Sequence, residues 1–194
     1  MTAEVQDPID RLSRALDQTG AIISQVRPDQ ASLPTPCTAW DVGGLIDHLL
    51  HDLLQFTARA SGEARHRQEA RSIGDDWNGA YREAADGLLA AWQADGALDH
   101  TVELPFGEVP AAWILGQHIA DVVVHGWDIA KATGQSTDLD PELGQFSLDW
   151  ARESLKPEFR GDEESGRQFG REVPVAANAA LYDRLAGFFG RDPD

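Results

Sequence analysis

Apolar residues recur at helical spacing over most of the chain. From about Pro8 to Val26, the residues Ile9, Leu12, Leu16, Thr19, Ile23 and Val26 stand three and four apart. That is the seam of a bundle helix. Pro8 suits a first turn, and Pro28 ends the pattern. After the proline-rich stretch Leu33 to Cys37, Thr38 reads as an N-cap, with Asp41 in place of the usual Glu of a capping box. A second helix, about Ala39 to Ala60, puts Val42, Leu45, Ile46, Leu49, Leu53 and Phe56 on one face. Trp40, at its start, reads as a large ring sealing the end of a bundle. Ser61 to Gly74 is polar and reads as a loop. A third helix follows, about Asp76 to Ala94, carrying Trp77, Tyr81, Leu88, Leu89 and Trp92.

Residues His100 to Val109 read as a short extended excursion with a turn at Phe106 and Gly107. Pro110 opens a fourth helix that runs to Thr133, with Gly134 as its stop. A fifth helix is expected from Pro141 to about Leu155, then a charged, glycine-rich loop from Lys156 to Arg171. A last helix runs from about Asn178 to Phe189. No repeat, low-complexity tract or linker divides residues 1–194, so one domain is expected. The pattern predicts an all-α four-helix bundle with a short C-terminal helical extension and a small β-hairpin.

The fourth helix carries the candidate chemistry. At 100° per residue, Ile114, His118, Asp121, His125, Asp128 and Ala132 fall within one sector of roughly 80°. Around the rest of its circumference the helix is nearly all apolar, and Lys131 is the only charged residue there. Such a helix is buried, and it takes two imidazoles and two carboxylates with it. Leaving those groups unpaired costs several kcal/mol each. Asp121 and His125 are four apart and point at one spot. They either satisfy each other by hydrogen bonding or grip one metal ion together. His118 could bond a carbonyl, and Asp128 could cap or orient a neighbour. On the second helix, His48 lies at the edge of the apolar face, with Asp41 and Asp52 in its column. It is either a rim residue or a group facing the fourth helix across a seam. His51 points further toward solvent. An imidazole and carboxylate set suits zinc, nickel, iron or manganese. Cys37 reads as a small packing residue more readily than as a nucleophile.

Composition narrows the partners. The chain has 194 residues, 42% of them apolar, enough for a real core. Its formal charge is −17. A surface that acidic repels phosphate backbones and anionic lipid, so neither nucleic acid nor membrane is an expected partner. The single cysteine allows no intramolecular disulfide, which fits a reducing compartment. Met1 to Asp10 lacks the basic and apolar parts of a signal peptide. The most apolar stretch, Ala111 to Ala130, is interrupted by His118, Asp121, His125 and Asp128, so it is no membrane span. A cytoplasmic protein is expected.

Two motifs then stand out together: Thr35-Pro-Cys-Thr-Ala-Trp-Asp-Val-Gly-Gly-Leu-Ile-Asp-His48 and Asp121-Val-Val-Val-His-Gly-Trp-Asp-Ile-Ala-Lys-Ala-Thr-Gly134. With the tail Val173-Pro-Val-Ala-Ala-Asn-Ala and the ending Leu185 to Pro193, they resemble the DinB-like superfamily. The closest branch is the metal-binding proteins related to the N-terminal domain of mycothiol-dependent maleylpyruvate isomerase. The resemblance implies a four-helix bundle holding one divalent metal, zinc or nickel. It maps the three protein ligands onto His48, Asp121 and His125, with water in the open positions. It also implies a low-molecular-weight thiol cofactor such as mycothiol, activated at the metal. The isomerase carries Glu where this chain has Asp121, one methylene shorter. The expected activity is a metal-dependent thiol transferase or isomerase acting on a small-molecule thiol and an electrophile. His118 or Asp128 would orient a ligand or shuttle a proton. A metal- or ligand-binding protein without turnover and a metal-dependent hydrolase are the alternatives. A homodimer is compatible with the family.

Overall fold

The computed structural model describes residues 7–61, 76–104, 107–161 and 169–193. Helix α1 spans Pro8–Ile23, with the Asp7 side chain accepting from the backbone N–H of Ile9. It stops short of Val26, which closes a further turn onto the Ile23 carbonyl. Helix α2 spans Val42–Ala60 and starts three residues later than expected. Its N-cap is Asp41, whose Oδ1 accepts from Gly44 N at 2.8 Å, and not Thr38. The reason is local. The Thr35 hydroxyl donates to the carbonyls of Cys37 and Trp40, and Trp40 N donates to Cys37 O. These bonds hold residues 35–40 in a turn before the helix can begin.

Helix α3 spans Trp77–Gln93 and is capped by Asp76. Strands β1, Thr101–Leu104, and β2, Gly107–Pro110, pair antiparallel with Thr101 opposite Pro110. Helix α4 spans Ala111–Thr133 and ends on Gly134, whose φ of +72° is the left-handed stop that glycine adopts without strain. Helix α5, Pro141–Ser154, is capped by Asp140, and the short α6 covers Leu181–Phe188. The last helix is thus shorter than the expected Asn178–Phe189. Beyond Ser61, the expected loop to Gly74 lies outside the described residues, as do residues 105 and 106 of the hairpin turn. Part of the Lys156 to Arg171 loop is described, with a 3-10 turn at Pro157–Phe159 and a parallel bridge from Arg160 to Phe169. Residues 162–168 lie outside.

Among the described residues the protein is mostly helical, with one small two-stranded sheet. Helices α1 and α2 each pack on both α3 and α4, while α5 packs on α4 and α6 on α5 and α4. Helix α4 is the centre of this arrangement. Ile114, Leu115, Ile119, Val122, Val123, Trp127 and Ile129 are all within 1% of full burial. The approach of α1 is close because Gly126 has no side chain: a Cβ there would stand 2.5 Å from Thr19 Oγ1. Thr19 uses that hydroxyl to donate to Val122 O at 3.0 Å, so a buried polar group is satisfied at the seam. The polar sector of α4 is therefore carried inside. His118 and Asp128 are fully buried, and His125 is 4% exposed. Among the described residues no helix is long and apolar enough to cross a membrane.

Candidate metal centre

His48 on α2 and Asp121 and His125 on α4 meet where the two helices pack. One ligand atom from each of the three lies within 4.8 Å of the others. The imidazoles of His48 and His125 stand edge to face, with centroids 5.3 Å apart and planes at 88°. Helical geometry supplies the Asp121–His125 pair, one turn apart on the same face. Yet His125 Nε2 and Asp121 Oδ1 are 3.7 Å apart, too far for a hydrogen bond. Two ligands of one tetrahedral ion stand roughly 3.4 Å apart. The other oxygen, Asp121 Oδ2, is buried with no hydrogen-bond partner among the described residues. An orphaned carboxylate oxygen beside two imidazoles is what a cation site needs, and the donor set suits a borderline divalent ion. The residues present fit such a group.

The other face of His125 is fully occupied. Its Nδ1 lies 3.0 Å from Asp128 Oδ2. A carboxylate only accepts, so this contact puts the ring proton on Nδ1 and leaves the Nε2 lone pair directed at the site. Asp128 is in turn gripped by Arg191 from the C-terminal segment, with Nη2 at 3.1 Å and Nε at 3.3 Å from the same oxygen. Arg191 also donates from Nη1 to Phe189 O. Burial works against the guanidinium charge, but Asp128 more than offsets it and holds Arg191 above its usual range. Cys37, His125 and Asp128 form a second close group of ligand-type atoms. There the positive charge is already supplied by Arg191, so this group reads as a structural ion pair. Burial pushes the Cys37 thiol up to about 11, which leaves it a poor nucleophile.

His48 is enclosed by two neighbours that α2 and the preceding turn provide. The indole of Trp40 stacks on it, with centroids 4.0 Å apart and planes at 13°. Its Nε2 lies 3.2 Å from Asp52 Oδ2, one turn further along α2. Burial, helped by the nearby His125, lowers His48 to about 4, so the ring is neutral and able to act as a ligand. Burial and the Asp121 carboxylate push Asp52 up to about 8. Trp40 is thus half-buried, packed against the edge of the core on one side and stacked on His48.

His118 lies elsewhere. It stacks on Phe56 with centroids 3.5 Å apart, and neither ring nitrogen has a hydrogen-bond partner among the described residues. It faces the interior and is in neither group of ligand atoms. His51 does not line the site's cavity. That cavity has a volume of about 820 Å³, and His48, Asp121 and His125 form its floor, with Cys37, Trp40 and Arg191 beside them. Neither helical periodicity nor ligand spacing marks Arg191 in the sequence. Its only signal was its place in the tail whose pattern resembled the family.

The comparisons with known proteins give the family and the fold. A profile of the mycothiol maleylpyruvate isomerase N-terminal domain family matches residues 12–130. The chain belongs to that family. The matched span holds His48, Asp121, His125 and Asp128, whereas Arg191 lies beyond it. An uncharacterized protein of Mycobacterium tuberculosis, found in each of two strains, is 38% identical to this family member over 185 residues. The match covers 95% of this chain and 98% of the relative. A crystal structure of the mycothiol-dependent maleylpyruvate isomerase superposes with a TM-score of 0.59 over 84% of this chain and 78% of that one, at 14% identity. At that identity the likeness is one of fold.

Proposed function

We propose that this family member is a divalent-metal protein that uses His48, Asp121 and His125 as ligands and binds a low-molecular-weight thiol of the mycothiol type for a transferase or isomerase reaction. The observation that carries the reading is the orphaned Asp121 Oδ2 beside two imidazoles, at the floor of a cavity large enough for a small molecule. The packing order of α1 to α4, with α1 and α2 each touching both α3 and α4, supports reading them as a four-helix bundle with the site between α2 and α4. The family relation supports mycothiol as the cofactor, and the donor set supports zinc, with nickel as the alternative.

Bound there, a divalent ion supplies the positive charge that favours the thiolate form of a thiol at neutral pH. The chain's own residues do the rest. Asp128 holds the Nδ1 proton of His125 and so fixes the tautomer that offers Nε2. Arg191 keeps Asp128 from turning away. Trp40 covers one face of His48 and excludes water from it. A site with three protein ligands and an adjoining cavity keeps room for an incoming ligand, as catalytic sites do and closed structural sites do not.

Cobalt(II) loading tests the thiol reading. Addition of mycothiol to the cobalt-loaded chain should raise a sulfur-to-metal charge-transfer band, absent in His48→Ala. A cobalt-loaded wild type whose spectrum ignores the thiol would overturn that reading and leave the metal site standing.

A further inference from the structure

Two stripes of side chains climb from the floor of the cavity. On α2 they are His48, Asp52, Phe56 and Arg59; on α4, running against the chain direction, they are Asp121, Gln117 and Trp113. At 1.5 Å per residue, Trp113 stands about 12 Å and Arg59 about 16 Å along its helix from the floor. The far end of the cavity therefore differs in chemistry from the floor.

That far end is aromatic and built. Trp113 and Trp150 are half-buried, with ring centroids 5.2 Å apart at 53°, and both line the cavity with Phe56 and Phe159. The Trp113 indole is fixed by a hydrogen bond from Nε1 to Ser154 Oγ at 3.1 Å. The edge of Trp150 is seated against α4 because Gly116 has no side chain: a Cβ there would stand 2.6 Å from the indole. The Trp150 N–H is buried without a hydrogen-bond partner among the described residues. Two indoles held in fixed orientations on a cavity wall form a platform for a flat ligand, since aromatic pairs prefer tilted or offset contact.

We propose that the far wall binds a co-substrate with a planar aromatic group, which stacks on Trp113 and Trp150 while its reacting end faces the His48–Asp121–His125 floor. The assignment of that molecule as a co-substrate rests on the function proposed above; its binding does not. The polar middle of the cavity, between Asp52 and Gln117, suits a ligand whose aromatic and reacting ends are joined by a polar segment.

1-Naphthoate is the probe, with fumarate as a small non-aromatic acid for comparison. Binding is read by calorimetry on metal-loaded and on chelator-treated protein. Naphthoate should bind more tightly than fumarate, and Trp150→Ala should weaken it about tenfold, on the scale of one aromatic contact. Trp150→Phe, which keeps a ring, should hold the affinity within about threefold. Metal content and melting temperature report whether each variant is folded. Equal affinity for naphthoate and fumarate, or a folded Trp150→Ala that binds naphthoate like wild type, overturns the proposal. Naphthoate binding that survives in a chain unable to hold metal supports the aromatic site and counts against the metal reading alone.

Discussion

The Asp128 carboxylate lies 3.0 Å from His125 Nδ1 and accepts, on the same oxygen, a donor from Arg191 at 3.1 Å. A fully buried acid thus links a predicted metal ligand to the C-terminal segment. Removing Arg191 would leave the Asp128 carboxylate buried without its cationic partner, a change that costs about 3–5 kcal/mol. Arg191→Ala should therefore melt at a clearly lower temperature than wild type. Asp128→Asn keeps the shape but weakens the hold on the Nδ1 proton, and it should reduce metal affinity by about 10–100-fold. Competition with a chromophoric chelator measures that loss. Unchanged affinity in a folded Asp128→Asn protein would show that His125 needs no orienting partner.

Trp40 stacks on His48 and is only half-buried where it meets the core, so its truncation should cost the fold less than a fully buried aromatic does. About 2 kcal/mol is expected for Trp40→Ala, below the usual range for core aromatics. Its more specific effect is optical. Nickel(II) bound beside His48 should quench the indole fluorescence of wild type, and Trp40→Phe should lose most of that quenching. Equal quenching in both proteins would place the ion away from His48.

His118 makes the fold sensitive to acid. Burial, with Arg59 adding to it, lowers this imidazole well below its ordinary value of 6.5, so the folded chain keeps it neutral. The unfolded chain takes up the proton once pH falls below about 6.5. Stability is then flat above that value and is lost as pH drops below it, by up to about 2 kcal/mol at pH 5 from this group. His118→Leu removes the titrating ring and two unpartnered nitrogens. Its unfolding free energy should fall less between pH 7 and pH 5 than that of wild type. Urea melts at the two pH values give the comparison, and parallel losses in both proteins would contradict it.

How much of this was legible in the sequence varies with the range of the forces involved. The polar sector of α4 was readable because helical periodicity alone places His118, Asp121, His125 and Asp128 on one side. It could not say which neighbour each would meet. His118 went to Phe56 and an apolar pocket, while Asp128 went to Arg191, 63 residues away in the chain. The start of α2 was misread because Thr38 and Asp41 are both good caps. The Thr35 hydroxyl bonds that decide between them depend on the fold of the whole turn. The site role of Trp40 follows from that same turn, which swings the ring out of the helix and onto His48.

The claim on which the rest depends is that His48, Asp121 and His125 share one cation. Elemental analysis of the chain purified without chelator, beside His125→Ala prepared in the same way, tests it most directly. Close to one divalent ion per wild-type chain and almost none in the variant is the expected result, with the helical circular dichroism of the two alike. A wild-type chain that neither carries nor takes up a divalent ion, or a His125→Ala chain that retains it in full, would show that the three residues share no cation.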